Sequence, residues 1–370
     1  MKIAIDLRSL SSGSISGVEN YIVNLLEHMV AIDRDNQYLL FYNSWKPRDF
    51  DNLHFANSEI KQTRMPNKLL NALLKLNVTK LEKLTGAIDV LFMPNLNQFS
   101  LWPKTKLALT VHDMSPVVTP EFYDWKRRAW HKFLNYKKAF DRANILFTVS
   151  DYTKYDIMRL FNVPSHKITV TYPGVLPANE FTSDVLRAFR NESGLPGRYL
   201  LFLSTIEPRK NLGNLIKAFE MLEDPAHLVI AGKKGWKYRN IFDQIRQSKK
   251  SDKIHYIGYL SETDKPKLIT LARAVAYPSF YEGFGFVPVE AMAHSVPVVA
   301  SSVTAIPEVV QDCALQVNPY NISEIVFSLE EILNNNPLRE ILISKGKIRS
   351  QEFTWEKTAR GVLAGLNSLQ

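Results

Sequence analysis

This sequence has almost no cysteine. Its one cysteine, Cys313, excludes a disulfide framework and any zinc site built on cysteines. That fits a reducing compartment. Long hydrophobic runs are missing as well. No stretch approaches the roughly 18 apolar residues of a membrane-spanning helix. The start, Met1-Lys2-Ile3-Ala4-Ile5-Asp6, has only a short apolar run after its lysine, where a secretory signal needs about 7–15 apolar residues. The expectation is a cytoplasmic protein, peripheral to the inner face of the cytoplasmic membrane if it meets one. No repeat of about 20–50 residues and no low-complexity tract is present. The 8 histidines show no HExxH or related metal spacing.

What is there is an ordinary globular composition. The chain is 45% hydrophobic and 22% charged, which excludes disorder as its main state. Its 370 residues are enough for two domains, each with its own core. The 46 Lys+Arg against 37 Asp+Glu leave a net charge of +9. Such a balance serves an anionic partner (nucleic acid, an anionic membrane face, a phosphate-bearing substrate) or solubility alone.

Short apolar runs alternate with helical patterns. Strands are predicted at Lys2–Leu7, Gln37–Tyr42, Asp89–Met93, Leu107–Val111, Ile145–Val149 and Ile168–Thr171. Val18, Ile22, Leu25, Leu26 and Met29 mark one helix, and a long helical stretch runs from about Asp124 to Arg142. Two prolines and a glycine in Tyr172–Pro177 read as a linker. The alternation then restarts, with strands at Tyr199–Ser204, Leu228–Ala231, Ile254–Ile257, Ala274–Tyr277 and Val296–Ala300. This pattern predicts an α/β protein with two Rossmann-like domains of parallel sheet facing across a cleft, one over residues 1–175 and one over 176–354. Ligands of such sheets bind at the carboxyl ends of the strands.

Glu282-Gly-Phe-Gly-Phe-Val-Pro-Val-Glu290 carries the strongest chemical signal. It follows a strand and opens a helix. Gly283 and Gly285 permit a tight loop whose N–H groups approach an anion, and the helix N-terminus adds favourable partial charge. The flanking carboxylates can accept hydrogen bonds from sugar and ribose hydroxyls. A dinucleotide fingerprint fits poorly, because the third glycine is missing and position 288 is proline. Thr205-Ile-Glu-Pro-Arg-Lys-Asn211 also joins a strand to a helix. Arg209 and Lys210 there suit phosphate neutralisation. Two cations at a helix start oppose the helix dipole unless an anion binds; otherwise they are a solvated basic turn.

In the first half, His112-Asp113 follows a strand, where the histidine either can bond a sugar or stabilise a leaving group, or is a structural residue, the commoner role of a lone histidine. Ser16-Gly17-Val18-Glu19 is either a turn or a close backbone approach to a ligand. Asp33-Arg-Asp35 matches a metal-binding Asp-x-Asp but precedes a strand instead of following one, so a solvated loop is expected. Trp125 to Lys138 combines six cations with an apolar, Trp-bearing stripe. It can lie on an anionic membrane or pack as an ordinary helix. Lys68–Lys83, with its leucine stripe, has the same two readings.

With these residues laid out, the chain resembles the retaining glycosyltransferases of family 4, which have the two-domain GT-B fold. The likeness covers nearly the whole chain. Its specific part is Tyr277-Pro-Ser-Phe-Tyr-Glu-Gly-Phe-Gly-Phe-Val-Pro-Val-Glu-Ala-Met-Ala293, the family's Glu-x7-Glu signature, with Val296-Pro-Val-Val-Ala300 and Ile306-Pro-Glu-Val309. Glu207–Asn211, Thr148-Val-Ser150, Tyr172-Pro-Gly174 and Gly17-Val-Glu19 also match. Phe353-Thr-Trp355 resembles the start of the family's last helix, about residues 355–370, which crosses back to the first domain.

The resemblance implies that the second domain binds a nucleotide-sugar. Arg209 and Lys210 then neutralise its diphosphate. Glu282 bonds sugar hydroxyls near the reacting carbon. Gly283, Phe284, Gly285 and Phe286 present N–H groups to sugar and phosphate, and Glu290 holds the ribose. His112 faces the donor sugar from the first domain, and the Gly17 loop approaches the phosphates. No metal or other cofactor is implied. Departures are small: Ser16-Gly17 stands where many members have two glycines, and His294-Ser295 replaces a small-residue–Gly pair.

The block from His112 to Phe122, with Trp125-Lys-Arg-Arg128, is similar to bacterial mannosyltransferases of O-antigen and exopolysaccharide synthesis. It implies GDP-mannose as donor and a glycan or lipid-diphosphate-linked acceptor, with no nucleic acid. The alternatives are a UDP-sugar transferase of the same fold, or a non-catalytic protein binding sugar or nucleic acid.

Overall fold

The computed structural model describes every residue except 13–16, 46–52 and 54. Ser16, singled out above, lies outside the described residues. The chain divides into two units. The first comprises Met1–Met114, Ala129–Gly174 and Thr354–Gln370; the second comprises Ser115–Arg128 and Val175–Phe353.

Among the described residues the first unit holds a seven-stranded parallel sheet of order β3-β2-β1-β4-β5-β6-β7. Its strands are β1 (Lys2–Asp6), β2 (Gln37–Asn43), β3 (Ser58–Thr63), β4 (Val90–Met93), β5 (Lys106–Val111), β6 (Ile145–Thr148) and β7 (Ile168–Val170). Central strands such as Val90–Met93 are buried on both faces. They therefore read as continuous apolar runs. The helix Gly17–Ile32 buries Tyr21, Ile22, Leu25, Leu26, Met29 and Val30 along one stripe. The terminal helix Trp355–Asn367 packs against it, with Trp355 edge-on to Tyr21 at 5.7 Å. At Gly174 the chain passes so close to the start of this helix that a Cβ would sit 2.2 Å from the Trp355 nitrogen. Only glycine fits there.

The second unit holds a six-stranded parallel sheet of order β10-β9-β8-β11-β12-β13. Its strands are β8 (Tyr199–Leu203), β9 (His227–Ala231), β10 (Ile254–Gly258), β11 (Ala274–Tyr277), β12 (Val298–Ser301) and β13 (Leu315–Val317). Leu212, Leu215, Ile216 and Phe219 of the helix Leu212–Met221 join Leu200, Phe202, Leu228 and Ile230 in its core.

Besides two strands that the sequence pattern does not mark, β3 and β13, four features differ from it. First, Ser115–Arg128 groups with the second unit, although the pattern runs it together with the first. Phe122 and Tyr123 are the reason. The Trp236 indole N–H donates to the Phe122 carbonyl at 2.6 Å, Tyr123 stacks on Trp236 at 5.4 Å, and Phe122 stacks on Phe280 at 5.3 Å. Second, the stretch Asp124–Arg142 is two helices, Trp125–Leu134 and Tyr136–Arg142. They part at Asn135, whose φ of 55° ends the first and whose side chain caps the second. Third, Lys68–Lys83 is likewise broken: a helix ends at Lys75, and Asn77 turns the chain at φ 57°. Fourth, Asp33 is not solvated. It is buried and accepts hydrogen bonds from the Asp35 and Asn36 backbone, the Asn36 amide and the Tyr38 hydroxyl, so it organises the turn into β2.

Candidate active site

In each sheet the strand order reverses once. Such a place favours ligand binding at the carboxyl ends of the strands. In the second unit it lies between β8 and β11. The chain leaving β8 carries Glu207, Arg209 and Lys210, and the chain leaving β11 carries Glu282.

Two stitches bind these loops together. The Phe280 N–H donates to the Arg209 carbonyl at 2.9 Å. Asn211, in the left-handed region at φ 58°, donates its side-chain amide to the Pro278 and Pro319 carbonyls, each at 2.8 Å. The charged side chains then converge. Lys210 Nζ donates to Glu282 Oε1 at 2.6 Å and to the Tyr277 hydroxyl at 3.0 Å. Arg209 Nη1 donates to Glu282 Oε2 at 3.1 Å and to the Tyr281 carbonyl at 2.7 Å. Its Nε and Nη2 grip Glu207 Oε1 at 3.0 and 2.7 Å. The Glu282 N–H donates to Thr304 Oγ1 at 3.1 Å.

The cluster is buried, and that decides its protonation. Burial alone works against the Glu282 charge, but Lys210 and Arg209 outweigh it and hold the carboxyl down at about 2. Burial and the neighbouring Arg209 pull the Lys210 pKa down, against the attraction of Glu282 and Glu207. Burial and Glu282 push the Tyr277 hydroxyl well above its ordinary value, so it stays protonated. At neutral pH Glu282 is a carboxylate that accepts hydrogen bonds; it has no proton to give.

Gly283–Phe286 follow directly. Gly285 has φ +103° and precedes the helix Phe286–Ala293, and a Cβ on it would meet Ile306 Cδ1 at 2.5 Å. The Phe284 ring is buried, edge-on to Phe286 at 5.2 Å and to Phe353 at 5.3 Å. Phe284 therefore anchors the loop with its ring. One turn into the helix, Glu290 receives Lys265 Nζ on Oε1 at 2.7 Å. Lys265, Glu207, Tyr277 and Thr304 were given no role by the sequence reading. Glu207 had a visible signal, two residues before Arg209. Lys265 had none, because its partner is 25 residues away on another helix.

The other predicted residues lie in the first unit. Gly17 is the exposed first residue of the helix Gly17–Ile32. His112 follows β5, and its Nε2 lies 2.8 Å from the Pro94 carbonyl, so Nε2 carries the proton and Nδ1 accepts. Burial lowers its pKa against the pull of Asp113 and Glu19, so the ring is neutral at pH 7. It meets the Tyr21 ring edge-on at 4.7 Å. Among the described residues no group of three or more His, Cys, Asp or Glu is placed to hold a metal ion.

Comparison with known proteins identifies the family. Residues 187–349 match the family described as glycosyl transferases group 1, and residues 15–178 match glycosyltransferase family 4. The chain belongs to glycosyltransferase family 4 and has its GT-B architecture of two Rossmann-like units. Over 259 residues it is 32% identical to O-antigen chain mannosyltransferase B of Escherichia coli, covering 68% of this chain and 67% of that one. It is 31% identical over 212 residues to O-antigen chain mannosyltransferase RfbU of Salmonella typhimurium, covering 57% and 56%. Matches to the longer serotype-specific mannosyltransferase WbdA of E. coli span only 32–34% of that protein. Among solved structures, HepE of Anabaena in complex with UDP and glucose superposes with a TM-score of 0.75 at 18% identity, covering all of both chains.

Proposed function

We propose that this glycosyltransferase moves mannose from GDP-mannose, with retention, onto a glycan or lipid-diphosphate-linked acceptor in cell-surface polysaccharide synthesis. The observation that carries the reading is the convergence of Arg209 and Lys210 on Glu282 at the strand reversal, immediately before a helix N-terminus. The mannosyl assignment is supported by the relatives' names. Breaking a sugar–phosphate bond develops negative charge on the departing diphosphate. Preorganised cations and N–H groups aimed at that charge lower the barrier. Arg209 and Lys210 supply the cations, and Gly283–Phe286 supply the N–H groups. They provide the charge that a divalent ion would otherwise bring, so turnover is expected to persist in EDTA. Glu282, ionised and rigidly held, accepts hydrogen bonds from sugar hydroxyls. Glu290 holds the ribose.

The acceptor's lipid carrier calls for contact with an anionic membrane face. Trp125 and Trp130 are exposed, as are Lys126, Arg128 and Lys132 beside them, and Leu76 and Val78 project from the turn at Asn77. No described helix is long and apolar enough to cross a membrane.

The test is a donor panel. It comprises GDP-mannose, GDP-fucose, UDP-glucose, UDP-galactose, UDP-GlcNAc and UDP-GalNAc, scored for binding and slow nucleotide release, in EDTA, with and without anionic vesicles. Glu282→Ala is the control. GDP-mannose alone should respond, and the protein should sediment with the vesicles. A response to a UDP-sugar would discard the mannosyl reading and keep the chemistry. Silence across the panel would overturn the enzyme reading.

A further inference from the structure

Thr304 stands where a threonine is unfavourable. Its φ is 60°, in the left-handed region. The other non-glycine residues of that kind, among the described residues, are four asparagines, a lysine, a serine and a glutamine, so Thr304 alone is β-branched. A branched Cβ crowds the backbone in this conformation, which suits glycine or asparagine far better.

The hydroxyl shows what the conformation achieves. Thr304 Oγ1 donates to the Val303 carbonyl at 2.7 Å, so its proton is committed. Its lone pair is left to face the Glu282 N–H, which it meets at 3.1 Å. Glu282 lies on the chain leaving β11, and Thr304 on the chain leaving β12. The two chains meet again at Gly285, where a Cβ would strike Ile306 Cδ1 at 2.5 Å. The glycine loop is thus backed from behind at Glu282 and at Gly285 by one short segment.

Local stability does not account for the residue. A single uncharged hydrogen bond at a half-buried hydroxyl contributes no more than a strained backbone costs. Glycine would make the same turn without the strain. Lys210 and Arg209 hold the carboxylate oxygens of Glu282, but neither bonds its N–H. What Thr304 adds is a fixed place for the Glu282 backbone, from which both the carboxylate and the glycine loop start. An observed outlier of this sort, kept at a site, points to function.

We infer that Thr304 is a positioning residue for the transfer reaction. It is held in a strained turn so that its hydroxyl pins the Glu282 N–H, and this sets where the carboxylate and the loop N–H groups stand as the sugar–phosphate bond breaks. The inference rests on the glycosyl-transfer reading of the site given above.

The experiment compares the wild type with Thr304→Ser, Thr304→Gly and Thr304→Val. It measures thermal unfolding, direct binding of GDP-mannose, and turnover of GDP-mannose or of whichever donor in the panel responds. Thr304→Ser keeps the hydroxyl and should keep the wild-type kcat. Thr304→Gly removes strain and hydroxyl together. Its Tm should hold or rise, its donor affinity should change little, and its kcat should fall about tenfold or more, as lost positioning does. Thr304→Val keeps the branched shape without the hydroxyl and should lose both Tm and kcat. A threonine with a merely structural role would not move stability and turnover in opposite directions. Wild-type kcat in Thr304→Gly would overturn the inference. So would a fall in its Tm as large as that of Thr304→Val, which would make the hydroxyl a structural bond alone. Equal loss of kcat in Thr304→Ser and Thr304→Gly would overturn it too, because the hydroxyl would then be irrelevant. Silence of the wild type toward every donor would instead overturn the transfer reading, and the inference with it.

Discussion

The first unit reverses its strand order between β1 and β4, and the second between β8 and β11. In the first unit the charge at that place is a local pair. Arg8 folds back two residues onto Asp6, with Nε to Oδ1 at 2.8 Å and Nη2 to Oδ2 at 2.6 Å, and reaches the Gln98 carbonyl beyond β4 at 2.7 Å. One cation meets one anion, both buried. In the second unit two adjacent cations cross to a carboxylate more than 70 residues away. The histidine near the first reversal is neutral; the carboxylate at the second is firmly ionised. One topology thus supports two chemistries. The backbone sets where a ligand can come, and a few loop side chains decide what it can be.

The comparison breaks most readily at its charged end. Arg209→Ala or Lys210→Ala should lower kcat by about 100- to 1,000-fold, as removal of one oxyanion-stabilising donor does. Donor affinity should fall much less, because the charge they meet is greatest as the bond breaks. Steady-state kinetics with the responding donor, together with direct donor binding, separates the two. An unchanged kcat would remove both residues from the chemistry.

Much of this contrast is legible in the sequence, and the limits have physical causes. Buried parallel strands are continuous apolar runs, so β1, β4, β5, β8 and β11 were visible. β3, Ser-Glu-Ile-Lys-Gln-Thr, is a partly exposed edge strand without such a run, and β13 is only three residues long. Neither announces itself. Arg209, Lys210, Glu282 and the glycine loop sit where one strand hands over to one helix, so local spacing exposes them. Lys265 meets Glu290 only through the tertiary fold. Phe122 and Tyr123 find Trp236 over more than 110 residues, and no local pattern records that.

A smaller effect sharpens the ionisation contrast. The Glu282 pKa falls from 4.5 to about 2 on folding, a difference of about 3 kcal/mol. A depressed carboxylate contributes stability that is complete above its unfolded pKa and is lost as pH falls through the folded one. The wild type should therefore lose stability between about pH 5 and pH 2. Glu282→Gln, less stable at neutral pH because two cations lose their partner, should lose less over that window. Denaturant titrations at each pH give the difference, which should shrink on acidification. A constant difference would mean that Glu282 is not held ionised by Lys210 and Arg209.

The smallest expected effect belongs to the first unit. The His112 pKa lies below its ordinary 6.5 because the imidazolium would be desolvated. The sign is that of a depressed group. Its neutral form is the folded form, so its contribution is complete above about pH 6.5 and is lost as pH falls through the lowered value. The loss begins at a higher pH than that of Glu282 and has a different cause: at His112 acid creates a charge that the fold does not solvate, whereas at Glu282 it removes one that the fold has paired. His112→Gln keeps an N–H for the Pro94 carbonyl and cannot titrate. Its stability should fall less than that of the wild type as pH drops from about 7 toward 5, while the Glu282 window stays in place. Identical pH profiles for His112→Gln and wild type would show that the ring is solvated when charged. The contrast between a neutral histidine near one reversal and an ionised carboxylate at the other would then rest on Glu282 alone.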